Sequence, residues 1–204
     1  MLVPAMTLED IRREIQKDFP ILHRKSSYVL HKLERMFDKS TIEKGVVRFF
    51  EYRSKYKNTW IYKINLSKGK NDLFFLAYYY GNKGLTAVCP LSNDILLYST
   101  GHFFNRYNER RKLNLVMPHD IMRTFMNDNK EFKFQPMDEV SPGIYTMFGA
   151  LDSGAALGMF NKNLNLYKLN TFISHDMMRD DQREMEALMR LRLNKYQGDA
   201  GKLD

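Results

Sequence analysis

The segment Thr100-Gly-His102-Phe-Phe-Asn-Arg106-Tyr-Asn-Glu-Arg110-Arg111 sets an imidazole and two guanidiniums four residues apart. On a helix each four-residue step rotates a side chain by only about 40°, so His102, Arg106 and Arg110 are expected to share one surface. Imidazole is the side chain that accepts a proton near neutral pH, whereas guanidiniums keep theirs and grip phosphate oxygens in a planar fork. The combination fits general-base chemistry beside a stabilised anion. A simpler role for the same residues is structural: His102 caps or packs, and Arg106 and Arg110 pair with Glu109, Asp120 or Glu131. Phe103, Phe104 and Tyr107 read as core anchors of the helix rather than stacking surfaces.

A second candidate stretch is Leu166-Tyr-Lys-Leu-Asn-Thr171-Phe-Ile-Ser174-His175, a strand that ends in hydroxyls. Thr171 and Ser174 can donate to a phosphate oxygen, and Tyr167 or His175 can protonate a leaving group. Thr171 is equally an ordinary strand residue, and Ser174 a good helix cap. His119-Asp120, His175-Asp176, and the pair His23 and His31 make no convincing metal set, and no cofactor is called for. Gly149-x4-Gly154-x3-Gly158 lacks the Lys-Ser or Lys-Thr of a phosphate loop and reads as a small-residue hairpin.

The elements that must position these residues are legible from periodicity. Thr7 caps an expected helix with Leu8, Ile11, Ile15 and Phe19 on its apolar stripe, ended by Pro20, and a second helix is expected over His23–Asp38. From Gly45 the period falls to two. Strands are expected at Val46–Arg53, around Trp60–Leu66 (half-buried), and at Leu73–Tyr80, Leu85–Leu91 and Asp94–Thr100. They are separated by short turns that imply antiparallel neighbours. Helices are then expected at Gly101–Lys112 and Pro118–Asn127. Strands follow at Gly143–Ala150, Ala155–Phe160 and Leu164–Ile173, and a Met-rich helix runs from Ser174 to about Tyr196. This order reads as α+β: N-terminal helices, antiparallel meander sheets, a central helix pair and a C-terminal helix. The expected division is a helical arm at 1–40, an α+β domain at 41–197 and a flexible tail at 198–204.

Composition bounds the partners. The 204 residues carry a formal charge of +8, and residues 1–63 hold 14 Lys or Arg against eight acids, so most of the excess lies in the first third. That bias favours RNA or another anionic partner, although a basic surface can simply be solubilising. Arg48, Arg53, Lys55, Lys57 and Arg111 are the expected nucleic-acid contacts. Cys89 is the only cysteine, which excludes an intrachain disulfide and a cysteine-based metal knuckle. The longest apolar run, Leu73–Tyr80, is too short to span a bilayer, and the cytoplasm is the expected compartment. Met177, Met178, Met185, Leu188 and Met189 form a stripe expected to face the core, with a protein partner as the alternative.

His102-x3-Arg106-x3-Arg110, the helix after it, three strands and the terminal Asn170-Thr-Phe-Ile together resemble the helix-then-meander layout of the metal-independent toxin ribonucleases of the barnase, colicin and RelE fold group. The spelling His102, Arg106, Glu109, Arg110 is similar to small toxin-like members. The resemblance covers residues 95–178 and leaves 1–94 outside it. It implies RNA cleavage by attack of a 2′-hydroxyl, with His102 as base and Arg106 and Arg110 holding the phosphate. Thr171 completes the expected catalytic set, and no general acid is identifiable. The alternative is a non-enzymatic accessory protein that keeps a toxin-like fold.

Overall fold

The computed structural model describes residues 1–38, 46–67, 70–81, 84–92, 94–130 and 132–200; of residues 37–38, 70 and 192–200 it describes only the backbone. The expected change of period at Gly45, the turns around residues 68–69, 82–83 and 93, and the end of the tail lie outside the described residues. The chain divides into two compact units, Met1–Tyr98 and Ser99–Asp204. Both mix helix with antiparallel strands, as the sequence predicts for an α+β protein.

The first unit holds α1 (Leu8–Asp38), β1 (Val46–Arg53), β2 (Thr59–Ser67), β3 (Lys70–Gly81), β4 (Gly84–Pro90) and, up to Tyr98, β5 (Leu96–Ser99). Strands β1 to β4 pair antiparallel in sequence order. The N-terminal region is one helix, not two, because α1 runs through Pro20. Proline costs that helix a hydrogen bond. Burial on both sides of it offsets the loss: Ile11, Ile15 and Leu22 are at most 1% exposed, and Phe19 packs edge-on against Phe75 of β3. A buried polar network then fixes α1 to β2. Asp18 Oδ2 accepts from Trp60 Nε1 at 3.0 Å and from Asn58 Nδ2 at 2.7 Å. Strand β2 departs from the half-buried expectation, since Trp60, Ile61, Tyr62, Lys63 and Ile64 are all buried.

The second unit holds α2 (Gly101–Arg110), α3 (Pro118–Asp128), β6 (Phe132–Ser141), β7 (Ile144–Leu151), β8 (Gly154–Asn161), β9 (Leu166–Ser174), a 3-10 turn at His175–Met177, and α4 (Asp180–Ala200). Strands β6 to β9 form a four-stranded antiparallel meander, one strand more than expected. Helices α2 and α3 cover one face. Phe103 and Tyr107 of α2 reach the ring of Phe172 on β9, and Phe125 of α3 meets Phe132 on β6. The other face packs on α4 through Phe148, Ala150 and Ala155 with Met178 and Met189. The methionine stripe is therefore divided: Met178 and Met189 are buried, whereas Met177 and Leu188 are exposed.

Glycines of the predicted small-residue hairpin let neighbouring strands approach closely. A Cβ on Gly149 would sit 2.7 Å from the Phe134 ring, and one on Gly158 would sit 1.9 Å from the Lys168 carbonyl oxygen. The second clash is with backbone, which cannot swing away as a side chain can. Gly158→Ala is accordingly expected to destabilise the protein by roughly 1–3 kcal/mol, the usual cost of overpacking. A urea titration followed by circular dichroism checks this, and an unchanged midpoint would contradict the close approach.

Candidate functional site

Helix α2 is fixed at three points along β9. At its start the Thr100 hydroxyl accepts from Phe103 N at 3.1 Å and donates to the Leu169 carbonyl at 3.2 Å, so one side chain caps the helix and ties it to the sheet. Midway, Phe103 and Tyr107, both fully buried, seat on Phe172. At its end the Arg110 guanidinium donates to the Phe172 carbonyl. Burial pushes the Tyr107 phenol far above its usual range, with Asp128 adding to the effect. Tyr107 therefore stays a donor, and its hydroxyl reaches Asp128 Oδ2 at 2.5 Å.

The solvent side of α2 carries His102 and Arg106. His102 is exposed in the first turn, one residue after Gly101 opens the helix. Arg106 follows one turn later, partly exposed, with its guanidinium 2.6 Å from Glu109 Oε2. So exposed a pair adds little stability, but it orients the fork. Arg110 has rotated away from this pair. Two four-residue steps accumulate about 80° of turn, which brings its side chain to the β9 backbone. Arg111 lies beyond, 3.4 Å from Asp128.

Thr171 is not delivered to the same surface. In the β8–β9 register Gly158 pairs with Leu169 and Leu157 pairs with Thr171, which leaves Asn170 as the extra residue of a bulge. A bulge reverses the alternation of faces beyond it. Phe172 therefore faces α2, while Thr171 shares the opposite face with Ile173, which packs toward α4. Tyr167 remains on the α2 side within an aromatic row, 5.0 Å from Phe134 and 4.6 Å from Phe160 between ring centroids. Burial raises its pKa, which weakens it as a proton donor at neutral pH. His175 is held by the Asp152 carbonyl at 3.3 Å and Glu186 at 3.4 Å. Sequence reasoning missed Asn170, which follows directly on the carbonyl that receives Thr100. Its sequence signal is an amide next to Thr171 in a strand end that already carries hydroxyls.

Of the expected nucleic-acid contacts in the first unit, Arg53 and Lys57 line one cavity and Arg48 does not. Arg48 and Arg53 stand five residues apart on β1, so strand alternation puts them on opposite faces. The Lys55 ammonium lies 4.8 Å from the centre of the Tyr56 ring. Comparison with family models, with curated proteins and with solved structures finds no match to this chain. Among the described residues no helix is long and apolar enough to cross a membrane.

Proposed function

We propose that the chain binds RNA and that its second unit cleaves it without a metal, using His102 as general base and Arg106 as the phosphate-stabilising cation. One observation carries the reading: His102 and Arg106 lie on the solvent side of a helix whose other side is sealed by Phe103, Phe104 and Tyr107. In this scheme the imidazole takes the proton of a 2′-hydroxyl, whose oxygen attacks the adjacent phosphorus. The Arg106 fork stabilises the charge that develops on the phosphorane oxygens, and the 5′-oxygen departs with a proton from water. Arg110 acts as a positioning residue that holds α2 against β9. Thr171 has no step in it.

The test incubates purified protein with single-stranded and structured RNA in EDTA, beside the 2′-deoxy analogue. Cleavage of RNA alone is expected. Arg106→Ala is expected to slow it on the order of 10²-fold, the usual loss for one charge-stabilising donor. Activity that requires added Mg²⁺, or that also cuts the deoxy analogue, contradicts the mechanism.

Helix α4 favours a second reading, a non-enzymatic accessory protein. Leu188 is 55% and Leu191 61% exposed on it, a surface suited to a protein partner. Absence of cleavage on every RNA would move the weight to that reading.

A further inference from the structure

A cavity of about 280 Å³ in the first unit is lined by Arg53, Lys57, Asn58, Thr59, Tyr78 and Tyr80, among others. Its construction follows from register. Arg53 pairs with Thr59 across β1 and β2, and Thr59 pairs with Tyr78 across β2 and β3. Directly paired residues share a sheet face, so a guanidinium, a hydroxyl and a phenol stand in one row. Tyr80, two residues along β3, joins the same face, its ring edge-on to Tyr78 with centroids 6.4 Å apart.

Lys57 is held beside this row by a locked turn. It adopts a left-handed φ of 65°, uncommon for a residue with a side chain. The Ser54 carbonyl receives its N–H at 2.9 Å, and the Ser54 hydroxyl accepts the N–H groups of Tyr56 and Asn58, each at 3.2 Å. Asn58 in turn donates to the buried Asp18 at 2.7 Å. The turn is thus anchored to α1 through buried groups, and the strained backbone at Lys57 is held in place by its surroundings. Among the described residues that line the cavity none is acidic.

Two cations, a hydroxyl and an aromatic wall select a ligand with phosphate at one end and a flat ring at the other. We propose that this cavity is a nucleotide subsite. Arg53 and Lys57 hold the phosphate, Thr59 donates to it, and Tyr78 and Tyr80 present the surface on which the base stacks. The volume lies at the small end of ligand pockets and admits one nucleotide rather than a larger cofactor. The proposal deepens the RNA reading and rests on it for the nature of the ligand. The same chemistry is offered by one residue of a single-stranded RNA or by a free mononucleotide, and the experiment separates these.

Binding is measured with the 204-residue chain carrying His102→Ala in EDTA, so a failure of cleavage leaves the measurement intact. One arm follows the anisotropy of fluorescein-labelled oligouridylate; the other follows uridine monophosphate by calorimetry. The Arg53→Ala, Lys57→Ala double variant is expected to weaken oligouridylate at least tenfold and to lower the salt slope by about 0.7 for each phosphate left without its cation. Tyr80→Ala, at a 56% exposed residue, is expected to weaken it about tenfold through loss of stacking, and Tyr80→Phe to restore it. Lys32→Ala, at an exposed lysine of α1 outside the cavity, is expected to leave affinity within about twofold, as a charge that holds no phosphate in place should. Parallel losses for uridine monophosphate identify a mononucleotide pocket, and losses confined to the oligomer identify an RNA-strand subsite. The proposal is overturned if neither ligand binds, if the double variant binds like the parent, or if Lys32→Ala loses as much as the double variant. Thermal melts matching the parent confirm that the variants fold.

Discussion

His102→Ala is expected to reduce RNA cleavage on the order of 10²-fold or more, the range for losing a general base, while the melting temperature stays where it was. The two halves of this result have separate physical causes. The imidazole is exposed, and none of the contacts that fix α2 to β9 passes through it: those belong to Thr100, Phe103, Tyr107 and Arg110. Removing it therefore costs packing almost nothing. Single-turnover cleavage and a thermal melt on the same preparation check both halves. Unchanged cleavage would remove His102 from the chemistry, and a large fall in melting temperature would assign it a structural role instead.

Phe172→Ala is expected to have the largest effect on stability, about 3–5 kcal/mol, as for other large-to-small changes in sealed cores. The ring is fully buried, 5.0 Å from Tyr107 and 6.3 Å from Phe103 between centroids. Phe103 and Tyr107 both also meet Phe125, so the cavity left behind lies within an aromatic cluster that joins α2, α3 and β9. Arg110 receives its anchor from the same residue's carbonyl. A loosened β9 is expected to release α2 both at this aromatic seat and at the Arg110 anchor. Denaturant titration gives the stability change, and hydrogen exchange should show a loss of protection concentrated in residues 101–110. A loss below about 1 kcal/mol would mean that this cluster does not hold the helix.

The parts of the fold that the sequence disclosed were those where local pattern and tertiary packing agree. A capping hydroxyl at Ser99 or Thr100 and Pro118 in a first helical turn marked α2 and α3, and Thr100 is the residue that caps. Strand β6 escaped because its pattern is broken. Pro136 lies within it, and the register shifts between Pro136 and Glu139 and again before Ser141. An edge position tolerates both, since the missing N–H need not serve a neighbour. Pro20 misled in the opposite direction, because burial of Ile15 and Leu22 on either side of it outweighs a local preference for stopping.

At the candidate site the spacing of His102 and Arg106 was readable, but the fates of Arg110 and Thr171 were not. Arg110 found a partner 62 positions away in the chain, a backbone carbonyl that carries no sequence signal. Thr171 was turned to the far face by one unpaired residue, Asn170. Without that bulge, Tyr167, Leu169 and Thr171 would have shared a face by simple alternation. The cavity at Arg53 depends on pairing across three strands and on a left-handed lysine, neither of which periodicity discloses.

The central claim is that a 2′-oxygen, and not water on a metal, attacks the phosphorus. Its chemistry leaves a signature on the product: the 2′-oxygen displaces the 5′-oxygen and remains bonded to phosphorus. Mass spectrometry of the ends produced from a defined oligoribonucleotide in EDTA reads this directly. The account predicts a 2′,3′-cyclic phosphate on the upstream fragment and a 5′-hydroxyl on the downstream one, both lost in His102→Ala. A 5′-phosphate on the downstream fragment would contradict it.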